Sequence, residues 1–180
     1  GLGRLIARPV APVPGGFACP VSVEIAPETR AGACPHFTGR LIRGVKNGPS
    51  PAWLQARLKA IGLRPISALV DITNFFTFDL NRPLHLFDAD KITGGALRVH
   101  AAQGGESFVG LDDKSHTLQP GMTVISDAGG VESLGGIMGG AATGCSEHTV
   151  NVFLEAAFFD PIRTATTGRA LKINSDARYR

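Results

Sequence analysis

The sequence predicts an α+β fold: a mixed or antiparallel β-sheet core with flanking helices, preceded by a Pro/Gly-rich linker. Three observations predict it. Helical patterns come first, over residues 50–81, and short strand-like runs follow, over residues 97–159. That order argues for segregated helices and sheet and against a βαβ repeat. The length of 180 residues suits one sizeable core and is short for two domains. A composition of 43% hydrophobic and 18% charged residues is that of a folded globular protein, while 23 Gly and 12 Pro call for many turns and short strands rather than a helical bundle.

Residues 1–20 carry Pro9, Pro12, Pro14, Gly15, Gly16 and Pro20, and read as a linker or extended arm before a domain at 21–180. Alternating apolar and polar residues predict a short strand at 21–25, and another strand is expected at 37–45. A helix is expected from Ser50 as N-cap with Pro51 at the first helical position. Leu54, Leu58 and Ile61 follow at helical spacing, and Gly62 supplies a stop. Residues 67–81 predict a second helix, with Leu69, Ile72, Phe76 and Leu80 on one face and Asp71, Asn74 and Asn81 on another; Pro83 ends it. Strands are then expected at 97–101, 107–111, 123–126, 133–138 and 151–159, with turns at Asp112-Asp113-Lys114 and Gly129-Gly130. A last helix is expected to start at Asp160-Pro161.

The bulk chemistry excludes several classes. The net charge of +3, with no run of four Lys or Arg, permits a polyanionic partner without demanding one. Cys19, Cys34 and Cys145 are odd in number and widely spaced, which argues against a disulfide framework and a zinc site, and for reduced thiols in a cytoplasmic protein. No stretch approaches the ~18 apolar residues of a membrane span, and the N-terminus lacks a signal-peptide pattern. The ends, Gly-Leu-Gly and Arg178-Tyr179-Arg180, are expected to be boundaries within a longer polypeptide.

Candidate chemistry rests on three places. Gly135-Gly136-Ile137-Met138-Gly139-Gly140 has neither dinucleotide-binding nor P-loop spacing. It reads as a tight strand turn or as a spot where backbone touches a ligand closely. His85 lies between apolar residues, and reads as a packed core histidine or as a catalytic group; Asp88 and Asp90 either orient it or cap the next turn. Glu155 is the most unusual residue, since a carboxylate in so apolar a strand is costly unless paired. It either faces outward or lines a pocket. Period two puts it on one face with Phe153 and Ala157, opposite Leu154, Ala156 and Phe158. Trp53 and the ten Phe are expected in the core, and the His, Asp and Glu residues are too scattered for a metal site. No G-x-S-x-G or H-E-x-x-H motif is present.

Seven stretches occur in one order: Pro51-Ala-Trp-Leu-Gln-Ala-Arg-Leu58, Leu63-Arg-Pro-Ile66, Leu69-Val-Asp-Ile-Thr-Asn74, Pro83-Leu-His-Leu-Phe-Asp88, Gly136-Ile-Met-Gly-Gly140, Leu154-Glu-Ala-Ala-Phe-Phe159 and Asn174-Ser-Asp-Ala177. Each is weak alone; the ordered set, covering about residues 34–180, resembles the editing domain of the bacterial phenylalanyl-tRNA synthetase β subunit. The resemblance implies a post-transfer editing hydrolase that removes tyrosine from phenylalanine tRNA, within an α2β2 enzyme. Its partners would be the aminoacylated tRNA, the α subunit and the remaining β-subunit domains. It implies no cofactor in this domain, since ATP and Mg would serve the aminoacylation site on the other subunit. By the same resemblance Glu155 recognises the tyrosine hydroxyl, His85 lies near the ester, Gly139, Ser175 and Ala177 line the pocket, and Arg64 lies near the tRNA end. Departures are Leu86 for a frequent Ala, Asn81-Arg82 for a common Gly-Gln, and Asp113 for Gly in a turn, where Asp tolerates left-handed backbone.

Tyrosine and phenylalanine differ by one hydroxyl, so a second site that selects for the hydroxyl raises fidelity. A buried Glu155 carboxylate would accept the phenol's hydrogen bond and stay unpaired with phenylalanine. Water would hydrolyse the ester, oriented or deprotonated by His85, or assisted by the terminal ribose hydroxyl. Backbone N–H groups at 136–140 are candidate donors to the oxyanion. The alternative is a non-catalytic module of the synthetase, binding tRNA or a ligand or only spacing its domains.

Overall fold

A computed structural model describes residues 3–4, 6–7 and 9–180. In chain order the elements are β1 (Ser22–Ile25), β2 (His36–Arg43), α1 (Ala52–Ala60), α2 (Ala68–Leu80), β3 (His85–Asp88), β4 (Ala96–Ala101), β5 (Ser107–Val109), β6 (Ser115–Thr117), β7 (Thr123–Ser126), β8 (Val131–Leu134), β9 (Met138–Gly139), β10 (Asn151–Phe158) and α3 (Pro161–Ala170). A π-helical turn spans Thr29–Ala33 and a 3-10 turn Ala177–Tyr179. The expected α+β class is observed.

The strands form a five-stranded sheet in the order β1-β4-β7-β8-β9, a three-stranded sheet β2-β10-β3 and the hairpin β5-β6. Only the β1–β4 pair is parallel among the described strands. The two larger sheets pack face to face. Ile25, Leu97, Val99 and Ile125 of the first meet Phe87 and Phe153 of the second. A second cluster joins Phe108, Leu118, Met122, Val124, Leu134, Ile137 and Ile173. Strand β10 is central: it pairs along its whole length with β2 and through four residues with β3. Its alternation is the expected one, with Phe153 and Glu155 buried on the same face.

Several expectations need correction. Pro51 is the N-cap of α1, one place later than expected, because Ser50 is otherwise engaged: its hydroxyl donates to the carboxylate of Asp71 and its carbonyl accepts from Gln55. That contact also turns α2 over. Asp71 is fully buried and accepts a second bond, from the Ile66 amide at 2.9 Å. The Ile72, Phe76 and Leu80 stripe faces outward. The buried carboxylate is tolerated because two donors satisfy it. Trp53 is exposed rather than in the core, edge-on to Phe75 at 5.7 Å. The strand expected at 133–138 is two strands, β8 and β9, separated by a turn at Gly135-Gly136-Ile137. Strands β3 and β6 were not foreseen.

Other local signals behave as expected. Asp160 caps α3, accepting from the Arg163 amide at 2.8 Å, with Pro161 in the first turn. Asp113 adopts a left-handed φ of 59°. Asp88 caps the next turn, accepting from the Asp90 amide, while Asp90 accepts from the Asn151 side chain. Among the described residues of the expected arm, 9–20 carry no helix or strand; positions 1, 2, 5 and 8 lie outside the described residues. The arm touches β2, where Arg40 donates to the Val13 carbonyl and Arg43 lies over the Phe17 ring. Among the described residues no helix is long and apolar enough to cross a membrane.

Candidate active site

Antiparallel register sets Glu155 of β10 directly opposite His85 of β3. Cross-strand partners point to the same face, so the acid and the imidazole enter the space between the sheets together. Both line a pocket of about 530 Å3, whose other walls include Ser133, Leu134, the turn 136–139, Ala157, Phe159 and Ala177. Glu155 is 6% exposed, and its Oε2 has no hydrogen-bond partner. The Nε2 of His85 is also buried and unpartnered. Two unpaired polar atoms in one cavity are an unusual cost for a folded domain, and a ligand that satisfies them relieves it.

Burial decides the charge state of the pair. Desolvation pushes the Glu155 carboxyl up to about 8, and lowers the His85 imidazole to about 4. Burial thus favours the protonated acid and the neutral imidazole in the pocket. In its neutral form the acid both donates and accepts a hydrogen bond, where a carboxylate only accepts.

The glycine turn closes one wall. Gly136 has a φ of 72°, which suits glycine, and its backbone rests on the Phe159 ring. Gly139 lies against His85, whose ring stands edge-on to Phe87 with centroids 4.4 Å apart. The turn is pinned by Ser175, whose hydroxyl donates to the Ile137 carbonyl at 2.7 Å. The reading of the glycine run as a tight turn holds, and its backbone also lines the pocket.

Of the residues singled out from sequence, His85, Gly139, Glu155 and Ala177 are brought together at the pocket. Ser175 does not line it, and supports the turn instead. Arg64 is exposed in the α1–α2 connection, away from the pocket walls. Sequence reasoning missed Phe159, which supports the turn, and Arg82, noted only as a departure from a common glutamine. Neither carries a periodicity signal. Among the described residues no group of three His, Cys, Asp or Glu side chains is placed to hold a metal ion, and Cys19, Cys34 and Cys145 are free.

The fold and the cavity define an α+β domain with a pocket, lined by a buried acid–imidazole pair, between two sheets. The chain belongs to the B3/4 domain family, which matches residues 33–180. It is 67% identical over 180 residues to the phenylalanine–tRNA ligase β subunit of Ruegeria pomeroyi, and 65% identical to that of Cereibacter sphaeroides. Each match covers all of this chain and 22% of the relative, so the chain spans about a fifth of the length of these relatives. A crystal structure of an N-terminal fragment of the phenylalanyl-tRNA synthetase β subunit from Pyrococcus horikoshii aligns with a TM-score of 0.57 at 16% identity, covering 84% of this chain and 48% of that one. That likeness establishes a shared fold. The resemblance read from the ordered motifs is thus borne out for the synthetase β subunit.

Proposed function

We propose that this domain hydrolyses the ester of tyrosine wrongly attached to phenylalanine tRNA, acting as the editing site of a phenylalanyl-tRNA synthetase. The supporting observation is that Glu155 and His85, whose Oε2 and Nε2 are buried and unpartnered, line one pocket. A tyrosine side chain fits that need. Its phenol donates to and accepts from the neutral Glu155 acid, while phenylalanine leaves the acid unpaired. The penalty of an unpaired buried group, about 1–3 kcal/mol, gives roughly tenfold discrimination or more.

Water attacks the ester carbonyl, the bond from carbonyl carbon to ribose oxygen breaks, and the water's proton ends on that oxygen. The products are free tyrosine and deacylated tRNA. With its pKa lowered to about 4, His85 is a weak base. Its role in this reading is to orient the water through Nε2, with the neighbouring ribose hydroxyl of the substrate assisting the proton transfer. Backbone N–H groups of the 136–139 turn are the candidate oxyanion donors. Water is the only co-substrate the reaction needs.

In this reading the domain works in the cytoplasm beside the α subunit and the remaining β-subunit domains, where ATP and Mg serve aminoacylation at a separate site. Arg64 is proposed as a tRNA contact. The test is deacylation of tyrosyl- and phenylalanyl-tRNA by the chain, with Glu155→Ala and His85→Ala beside it. Preferential release of tyrosine, lost in Glu155→Ala, supports the reading. Equal release by wild type and both variants would refute it.

A further inference from the structure

We infer that the mouth of the pocket is a phosphate-binding subsite formed by Arg82, Arg178 and Arg180, which takes the single-stranded 3′ backbone of the RNA that carries the ester. The inference rests on the editing reading and specifies where that substrate's phosphates lie. All three arginines line the pocket, and among its described lining residues the only acidic side chain is the buried Glu155. None of the three is ion-paired among the described residues.

Each guanidinium has its own local support. The left-handed Asn81, φ 51°, ends α2 and turns the chain so that Arg82 follows at the rim, exposed. Arg178 is anchored from behind: its Nη1 donates to the Ile173 carbonyl at 2.6 Å, and its Nε remains buried and unpartnered. Arg180 lies over the Phe78 ring at 4.2 Å and leans on the Asn81 side chain. Three cations around one opening repel each other until an anion enters. An aminoacyl ester has no free carboxylate, so the anion that accompanies it is phosphodiester, which guanidinium binds bidentately. Phe158 and Tyr179, 49% and 67% exposed, line the same opening and offer ring faces to unstacked bases.

The test uses the chain and a fluorescein-labelled single-stranded RNA tetranucleotide ending in adenosine, titrated by anisotropy at several salt concentrations. Contact with two or three phosphates predicts a log–log salt slope of about −1.4 to −2. Arg82→Ala and Arg180→Ala are each expected to weaken binding about tenfold and flatten the slope by about 0.7, and Arg82→Lys, which keeps the charge and loses the bidentate fork, to keep the slope with an affinity between wild type and alanine. Affinity within twofold and an unchanged slope in both alanine variants would overturn the subsite.

A second arm separates this inference from the editing reading. Tyrosyl adenosine carries the ester without phosphates. Arg82→Ala is expected to raise KM for tyrosyl-tRNA at constant kcat, by far more than it slows hydrolysis of tyrosyl adenosine. An equal loss on both substrates would assign Arg82 a merely structural role and overturn the subsite. Arginine-dependent RNA binding by a wild type that hydrolyses neither ester would overturn the editing reading and leave the subsite standing.

Discussion

The backbone of Gly139 lies against the imidazole of His85 so closely that a methyl group at Gly139 would sit 2.1 Å from Cε1 and 2.5 Å from Nε2. Strand β9 and strand β3 therefore fix the ring between them, with Phe87 behind it. Gly139→Ala is expected to push His85 out of place and lower tyrosine release by at least about tenfold, at a stability cost of about 1–3 kcal/mol. Single-turnover deacylation and urea unfolding measure the two effects. Full activity in a folded variant would show that the ring position does not matter.

The buried pair predicts an unusual stability profile. Glu155 has a folded pKa of about 8, above its unfolded value of 4.5, so its contribution is complete below pH 4.5 and is lost as pH rises through 8. His85 has a folded pKa of about 4, below its unfolded 6.5, so its contribution is present above 6.5 and is lost as pH falls through 4. The two oppose each other between 4.5 and 6.5. From 6.5 to 8 Glu155 acts alone, and stability should fall by up to about 1.4 kcal/mol per pH unit. Glu155→Gln should flatten that decline and be the more stable protein at pH 8. Denaturant midpoints at pH 6.5, 7.2 and 8 decide it; parallel profiles for the two proteins would mean that Glu155 ionises freely in the fold.

Selectivity should follow the same residue. Glu155→Gln keeps a group that donates and accepts, and is expected to retain part of the preference for tyrosine. Glu155→Ala removes it, and the ratio of tyrosine to phenylalanine release should drop about tenfold or more. The measurement is kcat/KM on both esters; an unchanged ratio in Glu155→Ala would move hydroxyl recognition elsewhere.

Ser175 acts at one remove. Ser175→Ala deletes its bond to the Ile137 carbonyl and is expected to cost about 1 kcal/mol. The freed turn should exchange its amide hydrogens faster at 137–139, and KM for tyrosyl-tRNA should rise more than kcat falls. Ser175→Thr, which keeps the hydroxyl, should rescue both. Unaltered exchange at the turn would rule out the pinning role.

Much of the fold was legible where the signal is local. Asp160-Pro161 announced α3, and the alternation of β10 placed Glu155 with Phe153 on the buried face. The α2 face was misread because periodicity shows that a helix has two faces without showing which is buried. The decision came from Ser50, whose hydroxyl reaches Asp71 across 21 residues and satisfies it inside the protein. Strand β3 was missed because it is four residues long and follows a proline; only pairing with β10 makes it a strand.

The candidate site divides in the same way. The sequence by itself determined the fold class, the strand that carries Glu155, the glycine turn and, through seven ordered motifs, the synthetase resemblance, because each depends on residues close in the chain. Tertiary structure alone decided that His85, Gly139 and Glu155 meet, that Arg64 lies outside their pocket and Arg82 on its rim, and that burial pushes the Glu155 carboxyl up and the His85 imidazole down. Those outcomes depend on cross-strand pairing and on desolvation by atoms distant in sequence.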